Sequence, residues 1–439
     1  MHKDFSIVKK RRQELLHALK KEHPDKKGIV LLFGAFEQER YRFRQESSFY
    51  YLTNIEEPGI ALTLELDGMA QVYIPQYSES RAKWVDSFLL NASANVLANM
   101  GIDKLEPLGE ACKGYALSSN CNTAEYTHLL SFIKKQIAQG NTIFTLYSGE
   151  NYKEQRLILN SLSLELPELK NNVVDISSIV ANMRRTKNQA EIELLYGAID
   201  CTMSAHEAAA VIIEAGKQEF EIQAGLEFVF TQSGAQPAFP SIVASGKNGT
   251  VLHYTRNTST LAKGDLVVID AGAELDYYCG DITRTYPISG TFTKRQREVY
   301  TVVLETQRYI EELAKPGFWL SNKEKPEKSL HHIAQAFLEK KGYGKYFTHG
   351  LGHFLGLDVH DVGSYTEPLK EGDVITLEPG IYIPEERLAV RIEDNYWVVQ
   401  DGILCLSEEL PKDIELVEEM MVESDDEDYD YDEDYDDEN

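Results

Sequence analysis

The sequence has few cysteines, and none of them form a pair that would hold a metal or a disulfide framework. There are five, at widely spaced positions and without a CxxC motif: Cys112, Cys121, Cys201, Cys279 and Cys405. An odd number of scattered thiols favours reduced, buried side chains over a disulfide scaffold or a zinc knuckle.

Long hydrophobic runs are also missing. No stretch of about 18 apolar residues occurs, which excludes a transmembrane helix. The first residues, MHKDFSIVKKRRQELLHALKKEHPDKK, carry charge throughout, and they lack the apolar core of about 7 to 15 residues that a secretory signal requires. We therefore expect a cytoplasmic protein that does not bind a membrane.

Positive charge is scarce, since 44 lysines and arginines stand against 71 aspartates and glutamates. Phosphate binding needs a basic surface, so we expect no nucleic-acid partner. Twelve of the acidic residues lie in the last segment, 423–439, which has no basic residue. We predict a disordered, solvating acidic tail there, with binding of basic partners as the alternative.

The length of 439 residues exceeds that of a typical single core, which rarely passes about 250 to 300 residues. We predict an α/β N-terminal domain over 1–172 and an α+β catalytic domain over 173–422. In the first, a charged helix over 5–22 precedes strands in GIVLLFGA, PGIALTLEL, AQVYIP and GNTIFTLYSG. The segment VVDISSIVANMRRTKNQAEIE marks the boundary with a short strand and a basic connection.

The second half alternates long helices with β segments. Helices are predicted near 188–215, 217–232, 294–314 and 327–341, the third with a capping box of Thr293 and Gln296. Apolar side chains at three- and four-residue spacing predict a core stripe on the first of them: Ile192, Leu195, Ile199 and Met203.

Two aspartates stand in an apolar hairpin, GDLVVIDAGAELDYYCGDITRTYPI. We predict a strand that ends near Asp270, a polar turn, and a returning strand through Asp281. A buried carboxylate without a partner costs several kcal/mol, so these residues need a reason to be there. Metal binding is one; a salt bridge to Arg284 or Arg391 is the other.

Two glutamates occupy similar positions further on. Glu378 ends the apolar strand of EGDVITLEPGIYI, and Glu393 lies within the strand of RLAVRIEDNYWVV. Arg391 is two residues before Glu393 and faces the same side of that strand. It could support the glutamate or hold a substrate.

Three histidines fall in THGLGHFLGLDVHDVG, at His349, His353 and His360. The HxxxH spacing does not make a zincin helix, because position 350 is glycine where HExxH needs glutamate. Closely spaced glycines also disfavour a helix. A single histidine is more often a core residue than a ligand, but three in one such segment favour a site.

Together, Asp270, Asp281, His353, Glu378 and Glu393 predict a cage for two divalent cations. Four carboxylates carry four negative charges, which two such ions would neutralise; without metal they would repel one another. Oxygen ligands with one imidazole favour Mn²⁺, Co²⁺ or Fe²⁺ over a thiolate zinc site. Metal-assisted hydrolysis is the predicted reaction class.

These motifs resemble those of aminopeptidase P, an Xaa-Pro aminopeptidase of the pita-bread metallopeptidases that also include prolidase and methionine aminopeptidase. The resemblance covers both domains and most of the chain. It is carried by FRQESSFYYLTNIEEPG, SIVASGKNGTVLHYTRN, DAGAE, GDITRT, HGLGHFLGLDVHD, LEPGIYI and VRIED.

The resemblance implies a creatinase-like N-terminal domain and a pita-bread catalytic domain with two Mn²⁺ ions on the five residues above. It implies hydrolysis of the bond before a proline in the second position by a metal-bridging hydroxide. Catalytic roles would fall to Glu378, His349, His360 and Arg391. Substrate-binding roles would fall to His253, His349, His360, Tyr382 and Arg391.

Other relatives fit less well. Methionine aminopeptidases generally lack a comparable N-terminal domain, and creatinase-like enzymes and the non-catalytic peptidase-like domains lack the metal ligands. Prolidases hold a dipeptide carboxylate with an arginine between the last histidine and the first ligating glutamate, whereas residues 361–377 offer only Lys370. We therefore predict longer Xaa-Pro peptides as substrates, with Xaa-Pro dipeptides as the alternative. The resemblance also implies a homo-oligomer, a dimer or tetramer.

Overall fold

The computed structural model describes residues 5–37, 42–79, 81–112, 122–149 and 152–422. The predicted acidic tail at 423–439 and Cys121 lie outside these residues. Contacts divide the chain into two units, Met1–Arg184 and Arg185–Asn439. This division falls twelve residues after the boundary expected from the sequence, because a short strand at Val173–Asp175 pairs with the sheet of the first unit.

The first unit contains helices and strands in alternation. Its helices are α1 (Ser6–Glu22), α2 (Ser47–Thr53), α3 (Phe88–Asn91), α4 (Ala94–Met100), α5 (Thr127–Ala138), α6 (Lys153–Glu165), α7 (Leu169–Asn172) and α8 (Ser177–Arg185). Its strands are β1 (Gly28–Phe33), β2 (Ala61–Glu65), β3 (Ala70–Ile74), β4 (Lys104–Pro107), β5 (Thr142–Thr145) and β6 (Val173–Asp175).

These strands form one mixed sheet in the order β4-β3-β2-β1-β5-β6. The strands β1, β2 and β3 are antiparallel neighbours, whereas β5 and β6 continue the sheet in parallel. All six side chains of β1, GIVLLF, are buried, as expected for a central strand covered on both faces. The predicted α/β class of this unit is confirmed.

The second unit has helices α9 (Gln189–Ile212), α10 (Glu219–Gln232), α11 (Lys294–Leu313), α12 (Leu330–Lys340) and α13 (Ile414–Met420). Its strands are β7 (Gln236–Pro237), β8 (Ile242–Ser245), β9 (Leu266–Ala271), β10 (Ala273–Leu275), β11 (Tyr278–Cys279), β12 (Ile282–Pro287), β13 (Val374–Leu377), β14 (Gly380–Ile383), β15 (Leu388–Arg391), β16 (Asp394–Val399) and β17 (Gly402–Cys405).

The strands of this unit pair antiparallel in small sheets. Two three-stranded sheets carry the residues of interest, in the orders β12-β9-β8 and β13-β16-β17. An isolated antiparallel bridge joins Thr283 to Glu393. Antiparallel sheets covered by long helices confirm the predicted α+β class.

The four predicted helices of this unit are present, each within three residues of its expected ends. Thr293 and Gln296 form the predicted capping box at the start of α11. The expected core stripe on α9 is also confirmed, since Ile192, Leu195, Ile199 and Met203 are buried.

In the described part of the chain, no helix combines the length and apolarity needed to cross a bilayer. In the same part of the chain, Cys112, Cys201, Cys279 and Cys405 are not joined in a disulfide.

Candidate metal centre

The hairpin of β9 and β12 carries the two aspartates as predicted. Strand β9 is buried along its length and lies between β8 and β12, so that Asp270 pairs with Ile242 on one side and Thr283 on the other. Asp281 directly precedes β12. The antiparallel register therefore brings the two carboxylates to the same end of the sheet.

His353 and Glu378 come together through the segment before and along β13. The amide of Thr376 donates to the carbonyl of His353 at 2.9 Å, and the amide of Glu378 donates to the carbonyl of Leu351 at 2.8 Å. Gly352 is required for this approach, because a Cβ there would lie 2.0 Å from the Thr376 carbonyl oxygen. No helix forms between residues 348 and 361 of this described segment, as the glycines indicate.

Glu393 does not lie inside a continuous strand, which differs from the sequence prediction. Strand β15 ends at Arg391 and β16 begins at Asp394. Glu393 sits in the break, where its amide donates to the carbonyl of Thr283 at 3.0 Å. The break turns the chain from one sheet to the other and leaves the glutamate beside β12.

The five predicted ligands, here called the acidic centre, lie close together and line one cavity. From the Nε2 atom of His353, the nearest carboxylate oxygens are at 3.3 Å in Asp281, 3.9 Å in Glu378 and 3.8 Å in Glu393. One ligand atom each of Asp281, His353 and Glu393 lies within 4.8 Å of the others. Asp270 shares the cavity wall.

Crowding and burial perturb these groups in the metal-free protein. Burial raises the pKa of Asp281 to about 6 and that of Glu378 to about 7. Burial, together with the charges of Asp281 and Glu378, raises the pKa of Glu393 well above its usual range. Burial alone would lower the pKa of His353, but its hydrogen bond to Asp281 raises it to about 9. The carboxylates of the centre therefore have too little positive charge around them to stay ionised together, even with the protonated imidazole of His353.

The donor set fits divalent cations. Three buried carboxylate oxygens have no hydrogen-bond partner: Oδ1 of Asp270, Oδ1 of Asp281 and Oε1 of Glu393. Buried polar atoms are normally paired, so unpaired oxygens grouped in one place indicate a cation. The Nδ1 atom of His353 lies 3.1 Å from the carbonyl oxygen of Phe354. It must donate there, which leaves Nε2 free to bind a metal, as in many metal-ligating histidines.

Arg391 is buried beside the centre and has a partner for each of its nitrogens. Nη2 donates to Oδ2 of Asp270 at 2.6 Å, Nη1 to the Tyr382 hydroxyl at 2.9 Å, and Nε to Oγ1 of Thr283 at 3.0 Å. The salt-bridge alternative is thus realised for one oxygen of Asp270. Its other oxygen stays unpaired, so the ion pair does not replace a metal.

His349 ends a chain of hydrogen bonds that starts at Arg391. Its Nδ1 atom lies 2.7 Å from the carbonyl oxygen of Gly350 and must donate to it. Its Nε2 atom, 2.8 Å from the Tyr382 hydroxyl, must then accept. Burial lowers the pKa of His349 to about 4, so the imidazole is neutral near pH 7. Its Nδ1 also lies 3.4 Å from Oε2 of Glu378.

The other predicted residues divide into two groups. His253 and His360 line the cavity, and the His360 ring centroid is 4.2 Å from that of His353. Tyr382 does not line it and is 4% exposed. Its hydroxyl contacts His349 and Arg391, and the substrate-binding role that the resemblance implies for Tyr382 stays a prediction.

The cavity measures about 610 Å³, within the usual range for small-ligand sites. Its lining also includes apolar and aromatic residues: Phe239, Pro240, Ile242, Leu252, Val359 and Tyr365. Of the described segment 361–377, only Tyr365 reaches the cavity, so Lys370 does not.

Two polar residues behind the ligands were missed by sequence reasoning. Oγ1 of Thr283 lies 2.8 Å from Oε2 of Glu393. The side chain of Asn395 accepts from the amide of Asp281 at 3.2 Å and donates to its carbonyl. Thr283 could have been found from the two-residue period of a strand, because it follows Asp281 by two positions. Nothing in the sequence pattern singles out Asn395.

Family models match both units. The model of metallopeptidase family M24 matches residues 193–400, and that of the aminopeptidase P N-terminal domain matches residues 8–119.

Individual relatives agree with these matches. The Xaa-Pro aminopeptidase of Haemophilus influenzae is 32% identical, over 89% of this chain and 93% of its own. The Xaa-Pro dipeptidase of Pyrococcus furiosus is 40% identical, but over 53% of this chain and 67% of its own. Among solved structures, the zinc-substituted E. coli aminopeptidase P in complex with product has a TM-score of 0.78 and 29% identity, covering 96% of this chain and 99% of that one.

Proposed function

The chain belongs to the aminopeptidase P group of metallopeptidase family M24 and is a metal-dependent exopeptidase for Xaa-Pro bonds, and we propose that it acts with two divalent ions held by the acidic centre. The observation that carries this proposal is that one ligand atom each of Asp281, His353 and Glu393 lies within 4.8 Å of the others, in a cavity where three buried carboxylate oxygens have no hydrogen-bond partner. Asp270, Asp281, His353, Glu378 and Glu393 would hold the ions. We propose Mn²⁺ for both, because four carboxylates and one imidazole suit a hard divalent ion.

Bound ions of this kind supply an activated water and polarise the carbonyl to be attacked. Side chains of the protein must then transfer the protons of the reaction. The nitrogen of an Xaa-Pro bond carries no hydrogen and must be protonated as it leaves. Glu378 is placed for this task, because its carboxylate lines the cavity and lies 3.9 Å from Nε2 of His353 and 3.4 Å from Nδ1 of His349. Its carboxylate takes the proton of the attacking water and returns one to the proline nitrogen.

Arg391 and the histidines bind and orient the peptide. Arg391 uses one hydrogen of each terminal nitrogen on Asp270 and Tyr382, so each of these nitrogens keeps a second N–H for a developing oxyanion. His349 is a neutral imidazole fixed by Tyr382 and Gly350. His360 and His253 line the cavity and can contact the peptide on either side of the bond.

The apolar side chains in the cavity lining suit a proline ring, and peptides longer than two residues are favoured as substrates. A dipeptide's carboxylate would need a cation near the ring, yet residues 361–377 contribute only Tyr365 to the cavity. The dipeptidase relative matches about half of this chain, whereas the aminopeptidase relative matches 89%. Both observations make the prolidase reading the second choice.

The first test is Glu378→Gln, with Glu385→Gln as the matched control because Glu385 is exposed. After removal of metal and addition of Mn²⁺, we expect Glu378→Gln to lower turnover of an Xaa-Pro-Yaa tripeptide by about 10² to 10⁴. The control should keep full turnover. Metal content measured on both variants separates loss of ions from loss of proton transfer. Unchanged turnover in Glu378→Gln would remove the proposed mechanism.

The second test compares an Xaa-Pro-Yaa tripeptide with an Xaa-Pro dipeptide. We expect a higher kcat/KM for the tripeptide, and preferential cleavage of the dipeptide would favour the prolidase reading instead. An Xaa-Ala-Yaa peptide controls for the role of proline.

Two further properties stay predictions. A homo-oligomer, a dimer or tetramer, follows from the family resemblance and is checked by light scattering of the purified protein. A cytoplasmic location follows from the sequence and is checked by cell fractionation.

A further inference from the structure

Two ligands of the acidic centre share a pattern in which one oxygen is held and the other is left open. In Asp270, Oδ2 accepts from Arg391 and Oδ1 has no partner. In Glu393, Oε2 accepts from Thr283 and Oε1 has no partner. The open oxygen of Glu393 is the one that lies 3.8 Å from Nε2 of His353. In each carboxylate, the hydrogen bond to one oxygen thus determines that the other oxygen faces the centre.

The hydrogen-bond direction at Thr283 follows from the chemistry of its neighbours. Nε of Arg391 lies 3.0 Å from Oγ1 of Thr283 and can only donate. A hydroxyl has one hydrogen, and Oε2 of Glu393 lies 2.8 Å away. The Thr283 hydroxyl therefore accepts from Arg391 and donates to Glu393. Its side chain is fully buried, so no water competes for either bond.

We propose that Thr283 is a positioning residue that links Arg391 to Glu393 and thereby sets the affinity of the centre for metal. Arg391 holds Asp270 directly and holds Glu393 through the Thr283 hydroxyl, so one guanidinium aligns two ligands. This inference rests on the proposed function of the acidic centre. Partners of ligating groups in general change metal affinity by about 10- to 100-fold when they are removed.

A matched control lies two residues further along the same strand. Thr285 is also fully buried and faces the same side of β12. Its hydroxyl exchanges hydrogen bonds with the main chain of Arg391, at 2.9 Å to the carbonyl and 3.1 Å from the amide. These hydrogen bonds do not involve any of the five proposed ligands. Valine at either position keeps the branched shape that a strand favours and removes only the hydroxyl.

The experiment titrates Mn²⁺ into chelator-stripped full-length protein by calorimetry. We expect Thr283→Val to weaken binding by about 10- to 100-fold, and Thr283→Ser, which restores the hydroxyl, to stay within about threefold of the unsubstituted protein. Thr285→Val should also stay within about threefold, although both valine variants lower the melting temperature of the metal-free protein. Equal Mn²⁺ affinities in the two valine variants would overturn the proposal.

If Thr283→Val does not fold, as judged by circular dichroism, Thr283→Ala and Thr283→Ser carry the same test. They differ from each other by the hydroxyl group. An affinity at least tenfold weaker in the alanine variant supports the proposal, and equal affinities contradict it. Absence of Mn²⁺ binding by the unsubstituted protein would instead overturn the proposed metal centre, and the positioning role with it.

Discussion

Glu393 and Asp394 are neighbours in the chain and both are buried, but they belong to two polar regions with opposite electrostatics. Glu393 is part of the acidic centre. Asp394 belongs to an ion-pair cluster, which we define as Arg284, Asp394 and Lys412 with Ser407 and Gln307. Its carboxylate accepts from Arg284 at 2.7 Å, Ser407 at 2.7 Å, Lys412 at 3.0 Å and Gln307 at 3.1 Å.

The two carboxylates differ in how their charge is compensated. Burial alone would raise the pKa of Asp394, but Arg284 and Lys412 hold it below its usual range. Burial and neighbouring carboxylates hold the pKa of Glu393 well above its usual range. A buried acid with cationic partners is part of the fold. A buried acid among other acids requires a ligand that the chain itself does not provide.

The largest expected effect tests the compensated region. Asp394→Asn leaves Arg284 and Lys412 without their buried counter-charge, and breaking such a pair costs about 3 to 5 kcal/mol of stability. Urea unfolding of the metal-free protein should show a loss of this size. A loss below about 1 kcal/mol would mean that Asp394 does not hold the cluster together.

The next prediction tests the uncompensated region. In the metal-free protein, burial and the neighbouring carboxylates raise the pKa of Glu393 well above its usual range and so disfavour its charged form. Glu393→Gln should therefore leave the metal-free protein as stable as before or slightly more stable. The stabilisation by Mn²⁺, about 2.7 kcal/mol at one hundred times the dissociation constant, should be largely lost. If Glu393→Gln destabilised the metal-free protein as much as Asp394→Asn does, the two regions would not differ in how their charge is compensated.

The pH dependence of stability gives a third, smaller difference between the acidic centre and the ion-pair cluster. In the metal-free protein the pKa values of Asp281, Glu378 and His353 are raised to about 6, 7 and 9. Each group then binds protons more tightly in the folded than in the unfolded state. The stability that these three groups contribute falls as pH rises between the unfolded and folded values, from about pH 4 to pH 9. The lowered pKa values of His206 and His349 act in the opposite direction below about pH 6.5, so the net fall is expected above that pH.

We expect urea unfolding of the metal-free protein to show a decrease of at least about 1 kcal/mol between about pH 6.5 and pH 8.5. With Mn²⁺ present the trend should reverse, because metal binding needs deprotonated ligands. A metal-free protein whose stability rises over this range would contradict the raised pKa values.

The smallest expected effect comes from an exposed ion pair. Arg308 donates to both oxygens of Asp413, at 2.8 and 2.9 Å, but both side chains are nearly half exposed. Arg308→Ala should cost no more than about 1 kcal/mol, and less in high salt. A cost comparable to that of Asp394→Asn would show that burial is not what separates these pairs.

Sequence patterns singled out the residues of the acidic centre because its proposed ligands lie near the ends of apolar strands or follow glycines, as Asp270, Glu378 and His353 do. They placed Glu393 inside a continuous strand and so missed the strand break that lets the adjacent carboxylates of Glu393 and Asp394 reach different regions. The sequence patterns also did not show which buried charges pair with each other. Arg284 was a candidate partner for the hairpin aspartates, but it pairs with Asp394. Such pairs form across distant segments, and local periodicity carries no information about them.

The domain boundary illustrates the same limit. The strand Val173–Asp175 was recognised, but its parallel pairing with β5 could not be read from three residues. A parallel pair has no local turn signal that would assign the strand to the sheet before it.

The bridge between Thr283 and Glu393 joins residues that are 110 positions apart. Closing so long a loop is slow and has to precede the assembly of all five ligands. We therefore expect metal capture to follow folding rather than to guide it. Mn²⁺ should slow unfolding but leave the refolding rate unchanged in stopped-flow measurements. During synthesis, a nascent chain that has not yet reached Glu393 would therefore be unable to bind its ions until the last strands are made and folded.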